Sequence, residues 1–131
     1  MRLVGKRAVV TGGRQGIGRG IVEAFLSEGS EVFTCGRGTE PSELPANCHW
    51  ATVDVADATA VNEYAQSLGS IDILVNNAGV QVEKTVVESS DVDWDLVMGV
   101  NARGVFNCCR AFIPRMNNGA AIINIGSISG N

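Results

Sequence analysis

The stretch Val9-Val10-Thr11-Gly12-Gly13-Arg14-Gln15-Gly16-Ile17-Gly18 decides the fold. On its N-terminal side, Arg7–Thr11 has the length and apolar content of a buried strand. On its C-terminal side, Gly16–Glu28 carries Ile17, Ile21 and Phe25 along one helical line, with Val22 and Leu26 beside it. A glycine-rich turn between a strand and a helix has three physical tasks. Gly12 lets the chain leave the strand in a tight turn. Gly16 removes a side chain where an anion must approach the backbone, and Gly18 allows close packing of the helix. Phosphates would then meet the free N–H groups and positive dipole end of the Gly16–Glu28 helix. Glycines alone would mark only a tight turn; the strand before and the helix after add the specificity.

Outward from this turn, short β-like runs alternate with longer helical ones. Gly29 ends the first helix and Glu31–Cys35 reads as a second strand. Gly36–Asn47, with two glycines and two prolines, reads as a surface loop. His49–Val53 is a third strand, and Asp57 reads as the N-cap of a helix that runs to Leu68 and is closed by Gly69. Ile71–Val75 is a fourth strand, followed by the turn Asn76–Gly79 and a loop to Ser90. Trp94, Val97, Asn101, Val105, Cys109, Phe112 and Met116 recur at helical spacing, predicting one long helix that Asn118–Gly119 stops. Ala120–Ile125 is a fifth strand. Strands alternating with helices imply right-handed crossovers and a doubly wound parallel sheet, covered on both faces, of α/β class. No internal repeat or linker divides residues 1–131.

Composition narrows the partners. The 131 residues are 45 % hydrophobic and 18 % charged, with 16 glycines and a net charge of −4. That composition disfavours disorder. The acidic balance argues against nucleic acid or an anionic membrane as partner. Apolar runs fall well short of the roughly 20 residues needed to span a bilayer, and no secretory signal is visible. The four cysteines (Cys35, Cys48, Cys108, Cys109) have neither CxxC spacing nor a histidine pairing that suggests a metal. They read as structural thiols in a reducing, cytoplasmic compartment. His49 reads as a strand residue rather than a ligand or base.

Four motifs in order resemble those of the short-chain dehydrogenase/reductase family: Thr11-Gly12-x-x-x-Gly16-Ile17-Gly18, Asn76-Asn77-Ala78-Gly79, Val100-Asn101-Ala102-Arg103-Gly104 and Ile123-Asn124-Ile125-Gly126-Ser127. The resemblance covers the whole chain. It implies a Rossmann-type sheet of strand order 3-2-1-4-5, with residues 1–131 the N-terminal part of one longer domain. It also implies nucleotide binding by Thr11, Gly12, Arg14, Gly16, Ile17 and Gly18, adenine contact by Asp54, and ribose-side contact by Asn77, Ala78 and Gly79. Enzymes choosing NAD place an acidic residue after the second strand. Here Gly36 and Arg37 fill that place; a glycine makes room for a 2′-phosphate and a guanidinium can pair with it. Arg14 adds a second positive charge, so NADP(H) rather than NAD(H) is expected. Arg37 could instead be a solvated loop charge.

The family's chemistry is hydride transfer between a nicotinamide and a carbonyl or alcohol carbon, so an oxidoreductase acting on a small carbonyl or secondary-alcohol substrate is implied. Ser127 matches the serine that binds the substrate oxygen, and Asn101 the helix asparagine of a water-linked proton relay. Asn101 could alternatively be a polar kink residue and Ser127 a loop hydroxyl. The family's Tyr-x-x-x-Lys does not occur in these residues: the sole tyrosine, Tyr64, is followed four positions on by Leu68. The chain alone is therefore expected to be inactive. The alternatives are a non-catalytic NADP(H)-binding module or a truncated product. A longer form is expected to be a homo-oligomer, and in this chain the fifth strand is expected to leave an exposed sheet edge.

Overall fold

The structure, a computed structural model, describes residues 1–126. Five strands, β1 (Arg7–Thr11), β2 (Glu31–Gly36), β3 (Cys48–Thr52), β4 (Ile71–Asn76) and β5 (Met116–Asn124), form one sheet of order β3-β2-β1-β4-β5. Every neighbouring pair is parallel. The chain fills one side of β1 with β2 and β3, then returns to place β4 and β5 on the other. The strand order therefore reverses at β1 and β4, where an open sheet of this kind holds its ligand.

Period-two alternation sends β1 side chains to two separate cores. Ala8 and Val10 join Val22, Val32, Ile73 and Val75 against helix α1 (Gly16–Ser27), which adds Ile21, Phe25 and Leu26. Val9 faces the opposite side with Phe33, Leu74, Val61, Tyr64 and Phe112. There, helices α2 (Ala58–Leu68) and α4 (Gly104–Phe112) cover the sheet. Phe112 is fully buried and meets the Tyr64 ring edge-on, with centroids 6.1 Å apart. Asp57 caps α2 as its sequence predicts, its carboxylate accepting the Ala60 N–H at 3.2 Å.

The expected long helix is instead several pieces. Helix α3 (Asp91–Met98) starts under a capping box in which Ser90 and Asp93 satisfy each other's backbone N–H groups. A π-helical turn, Gly99–Arg103, links it to α4, and a 3₁₀ turn, Ile113–Arg115, follows. Pro114 accounts for the early end, since it cannot donate to the preceding turn. Met116, read as helical, begins β5 opposite Ile71. Asn118–Gly119 lies inside that strand, where pairing slips between Ile71 and Ile73. Gly119 has φ +80°, so the glycine turns the chain within an irregular strand rather than stopping a helix. β5 forms an edge of the described sheet, with Ile122, Ile123 and Ile125 partly exposed.

Candidate functional site

At the carboxyl ends of β1, β2 and β4, an open cleft of about 670 Å³ is lined by Gly12, Arg14 and Gly16 from the first turn, Arg37 beyond β2, Asp54 beyond β3, and Asn77, Ala78 and Gly79 beyond β4. Eight of the expected site residues thus meet in one place. Gly36, expected to make room there, also lines it, as do Gln15, Cys35, Gly38, Trp50, Val53, Val55, Val80 and Val100, which the sequence reading gave no binding role. Thr11, Ile17, Gly18 and Asn101 do not line it. Ser127 lies outside the described residues.

The glycines have different reasons for being glycine. Gly12 has φ +69°, and a Cβ there would stand 3.0 Å from the Ala78 Cα. Gly16 has φ +61° with nothing within 4 Å of an added Cβ, so its position is conformationally demanding and open to the cleft. A Cβ on Gly18 would strike the Gly12 carbonyl oxygen and the Asn77 amide nitrogen, so the glycine lets the start of α1 pack closely on the turn after β1 and on the end of β4. Gly13, unmarked in the sequence reading, would collide with Thr34 and Val22. Buried Thr34 donates to the Val10 carbonyl at 2.7 Å and accepts the Gly13 N–H at 3.0 Å, which pins the turn onto β2. The available signal was a hydroxyl inside the apolar run Val32–Cys35.

Thr11 works as a clamp. Its buried Oγ1 accepts the N–H groups of Asn77 at 3.0 Å and Ala78 at 2.9 Å, while the Asn77 side chain donates to the Gly12 carbonyl at 3.1 Å. The two loops flanking the reversal point are therefore bonded to each other. Asn101 sits in the π-helical turn and spends both polar atoms on one residue. Its Oδ1 accepts the Val80 N–H and its Nδ2 donates to the Val80 carbonyl, each at 2.8 Å. Isolated π turns of this kind often mark functional positions. Gly104 and buried Asn107 fix the adjoining loop: Asn107 donates to the Val55 carbonyl at 2.9 Å, and a Cβ on Gly104 would press on Val55.

Electrostatics follow from the ends of the elements. α2 and α3 begin under side-chain caps, whereas Gln15 gives α1 none and the first turn carries no acidic residue. The α1 N-terminus therefore presents uncapped N–H groups beside Gly16, suited to an anion. Arg14 Nη1 donates to the Thr39 carbonyl, spanning from the glycine turn to the loop after β2. Arg19, in the first turn of α1, pairs with Glu23 at 3.0 Å. Asp54 uses one oxygen to accept the Ala56 N–H at 2.9 Å, ordering its own turn.

Cys35, at the end of β2, lines the cleft, whereas Cys48, Cys108, Cys109 and Tyr64 do not. Cys35, Cys48 and Cys108 are buried and all four thiols are free. Burial pushes the Cys108 thiol up to about 12 and raises Cys35 still further, helped by the nearby Cys108. Burial, then the neighbouring Cys35, likewise raises the Tyr64 phenol, whose oxygen has no hydrogen-bond partner among the described residues. It is a core residue under α4. His49 stands in β3 with Nε2 3.0 Å from Glu31. Among the described residues no group of three His, Cys, Asp or Glu is placed to hold a metal, and no helix is long and apolar enough to cross a membrane.

With that geometry, the chain belongs to the short chain dehydrogenase family, whose profile matches residues 6–131. An NADP-dependent (R)-specific alcohol dehydrogenase of Lentilactobacillus kefiri is 36 % identical, over 98 % of this chain and 57 % of the relative. Meso-2,3-butanediol dehydrogenase of Serratia marcescens is also 36 % identical, over 99 % and 56 %. Among solved structures, the Pseudomonas aeruginosa RhlG/NADP active-site complex superposes with a TM-score of 0.87 at 34 % identity, covering 98 % of this chain and 57 % of that one. The chain spans a little over half the length of these relatives.

Proposed function

We propose that the cleft binds NADP(H) and that the chain forms the cofactor-holding part of an oxidoreductase acting on a carbonyl or secondary alcohol. The observation that carries this reading is the uncapped start of α1 beside the open Gly16, flanked by Arg14 and Arg37, with Gly36 where an NAD-selecting carboxylate would stand. The NADP-dependent dehydrogenase and the NADP complex among the relatives support it. When bound, the cofactor would supply or accept hydride. In this reading the Gly12–Gly18 turn holds the pyrophosphate with Thr11 bracing it and Ile17 in the first turn of α1. Arg14 and Arg37 hold the 2′-phosphate, Asp54 the adenine, and Asn77–Gly79 the ribose side. Asn101 acts through the loop it grips at Val80, and Ser127 holds the substrate oxygen. The protein is cytoplasmic, as its free thiols suit, engages neither nucleic acid nor membrane, and works as a homo-oligomer in its full-length form.

A non-catalytic NADP(H)-binding module is the second reading; among residues 1–126 the sole tyrosine, Tyr64, is buried in the core and does not line the cleft. Both readings place NADP(H) in the same cleft, and both give this chain alone no steady turnover. Calorimetric titration of the 131-residue chain with NADPH tests the shared claim. One saturable site is expected, abolished by Gly16→Val, which fills the gap and strains a positive φ. Absence of binding overturns both readings. Steady NADPH oxidation with small ketones by the same chain would overturn its proposed lack of independent turnover.

A further inference from the structure

The loop that carries Arg37 is held from beneath by two β3 residues that no family motif marks. Trp50 pairs across the sheet with Thr34, and Thr52 with Gly36. The Trp50 indole lies against the end of β2: a Cβ added to Gly36 would come within 2.9 Å of Trp50 Cη2. Its Nε1 donates to Thr52 Oγ1 at 3.3 Å, and Thr52 Oγ1 donates onward to the Gly38 carbonyl at 2.9 Å. From the other side Arg14 donates to the Thr39 carbonyl, its Nη1 standing 3.2 Å from where a Gly38 Cβ would be. Residues 36–39 are thus fixed at Gly36 by indole contact, at Gly38 by a hydroxyl and at Thr39 by a guanidinium. Arg37 lies between these anchors on the wall of the cleft.

We propose that Trp50 and Thr52 are specificity-determining positioning residues, which set the 2′-phosphate end of the cleft by bracing the Arg37 loop from β3. The inference rests on the NADP(H) reading. The two cofactors share every group except the 2′-phosphate, so a brace acting on Arg37 changes affinity for one and not for the other. A brace that merely stabilised the fold would change both alike. Thr52 is exposed and Trp50 only half-buried, so conservative changes at either leave the core intact.

The test measures dissociation constants for NADPH and NADH by calorimetry on the 131-residue chain and on Thr52→Val, Thr52→Ser and Trp50→Phe. Thr52→Val keeps the shape and removes the hydroxyl that holds Gly38. Loss of one such bond should weaken NADPH by about two- to tenfold and leave NADH within about twofold. Trp50→Phe should move the ratio the same way, and Thr52→Ser should restore it. A wild-type preference for NADPH that survives both Thr52→Val and Trp50→Phe overturns this inference alone, as does equal weakening of both cofactors. A wild-type chain with no preference overturns the NADP(H) reading itself.

Discussion

Replacing Thr11 with valine keeps the volume of the side chain and removes only the oxygen that joins the two halves of the cleft. That oxygen accepts from the backbone at Asn77 (3.0 Å) and Ala78 (2.9 Å), inside a residue 2 % exposed. A buried donor left without an acceptor costs about 1–3 kcal/mol. Asn77 and Ala78 are only half-buried, so water recovers part of that, and the two together should cost about 2–4 kcal/mol. Domains are typically stable by about 5–15 kcal/mol, which makes this a large fraction. Thr11→Ser makes the opposite trade, keeping the acceptor and losing one methyl group, at about 1 kcal/mol. Urea unfolding followed by tryptophan fluorescence measures both, with m expected to be unchanged. The valine variant should have the lower midpoint of the two. If serine is the more damaging change, or if valine lies within about 0.5 kcal/mol of wild type, the methyl group rather than the hydroxyl matters and the clamp is refuted.

Gly18→Ala should unfold the turn or abolish cofactor binding, because its Cβ meets the Gly12 backbone carbonyl, which cannot swing away. Gly20→Ala, two residues on in the same helix with nothing within 4 Å, should stabilise by about 0.5–1 kcal/mol in thermal melts. Asp72 is held below its usual carboxylate range by the Asn117 side chain and then by the Arg7 N–H. Its contribution is therefore present above its unfolded value near 3.9 and lost as pH falls through the lower folded one. The stability gap between wild type and Asp72→Asn should accordingly close on acidification from pH 6 to about pH 2, and a gap independent of pH would count against this account. Asn101→Ala should speed hydrogen exchange at the Val80 amide while leaving Val9 and Val32 in the sheet protected; unchanged exchange at Val80 would show that the grip is not what orders that loop.

How legible this molecule was depends on where local signals act alone. β1, the helix stops at Gly29 and Gly69 and the Asp57 cap are set by residues within a turn of themselves, and the structure places them as the sequence predicts. Strand order 3-2-1-4-5 followed from the alternation of elements joined to the family resemblance. Three- and four-residue spacing continues through Met116 and so predicts one helix, whereas the π turn holds Asn101, which bonds to Val80, a contact distant in sequence. Pro114 was the local warning. The slip in β5 is set by pairing with Ile71 and Ile73, again a tertiary matter. At the site, the residues of the glycine turn and of the turn after β4 that line the cleft were readable from motif and chemistry. Those that hold them in place, Thr34, Asn107 and the Trp50–Thr52 pair, carry no motif and become visible only when strands lie side by side.

We propose that this cleft is built for a nicotinamide dinucleotide bearing a 2′-phosphate. The most direct measurement is the ratio of NADH to NADPH dissociation constants for the 131-residue chain at a fixed, moderate salt concentration, repeated with Arg37→Asp. Charge-assisted bonds to the extra phosphate should make NADPH the tighter ligand by about ten- to a hundredfold. The aspartate should invert that order by repelling the phosphate. Equal affinities, or NADH bound more tightly by the wild-type chain, would contradict it.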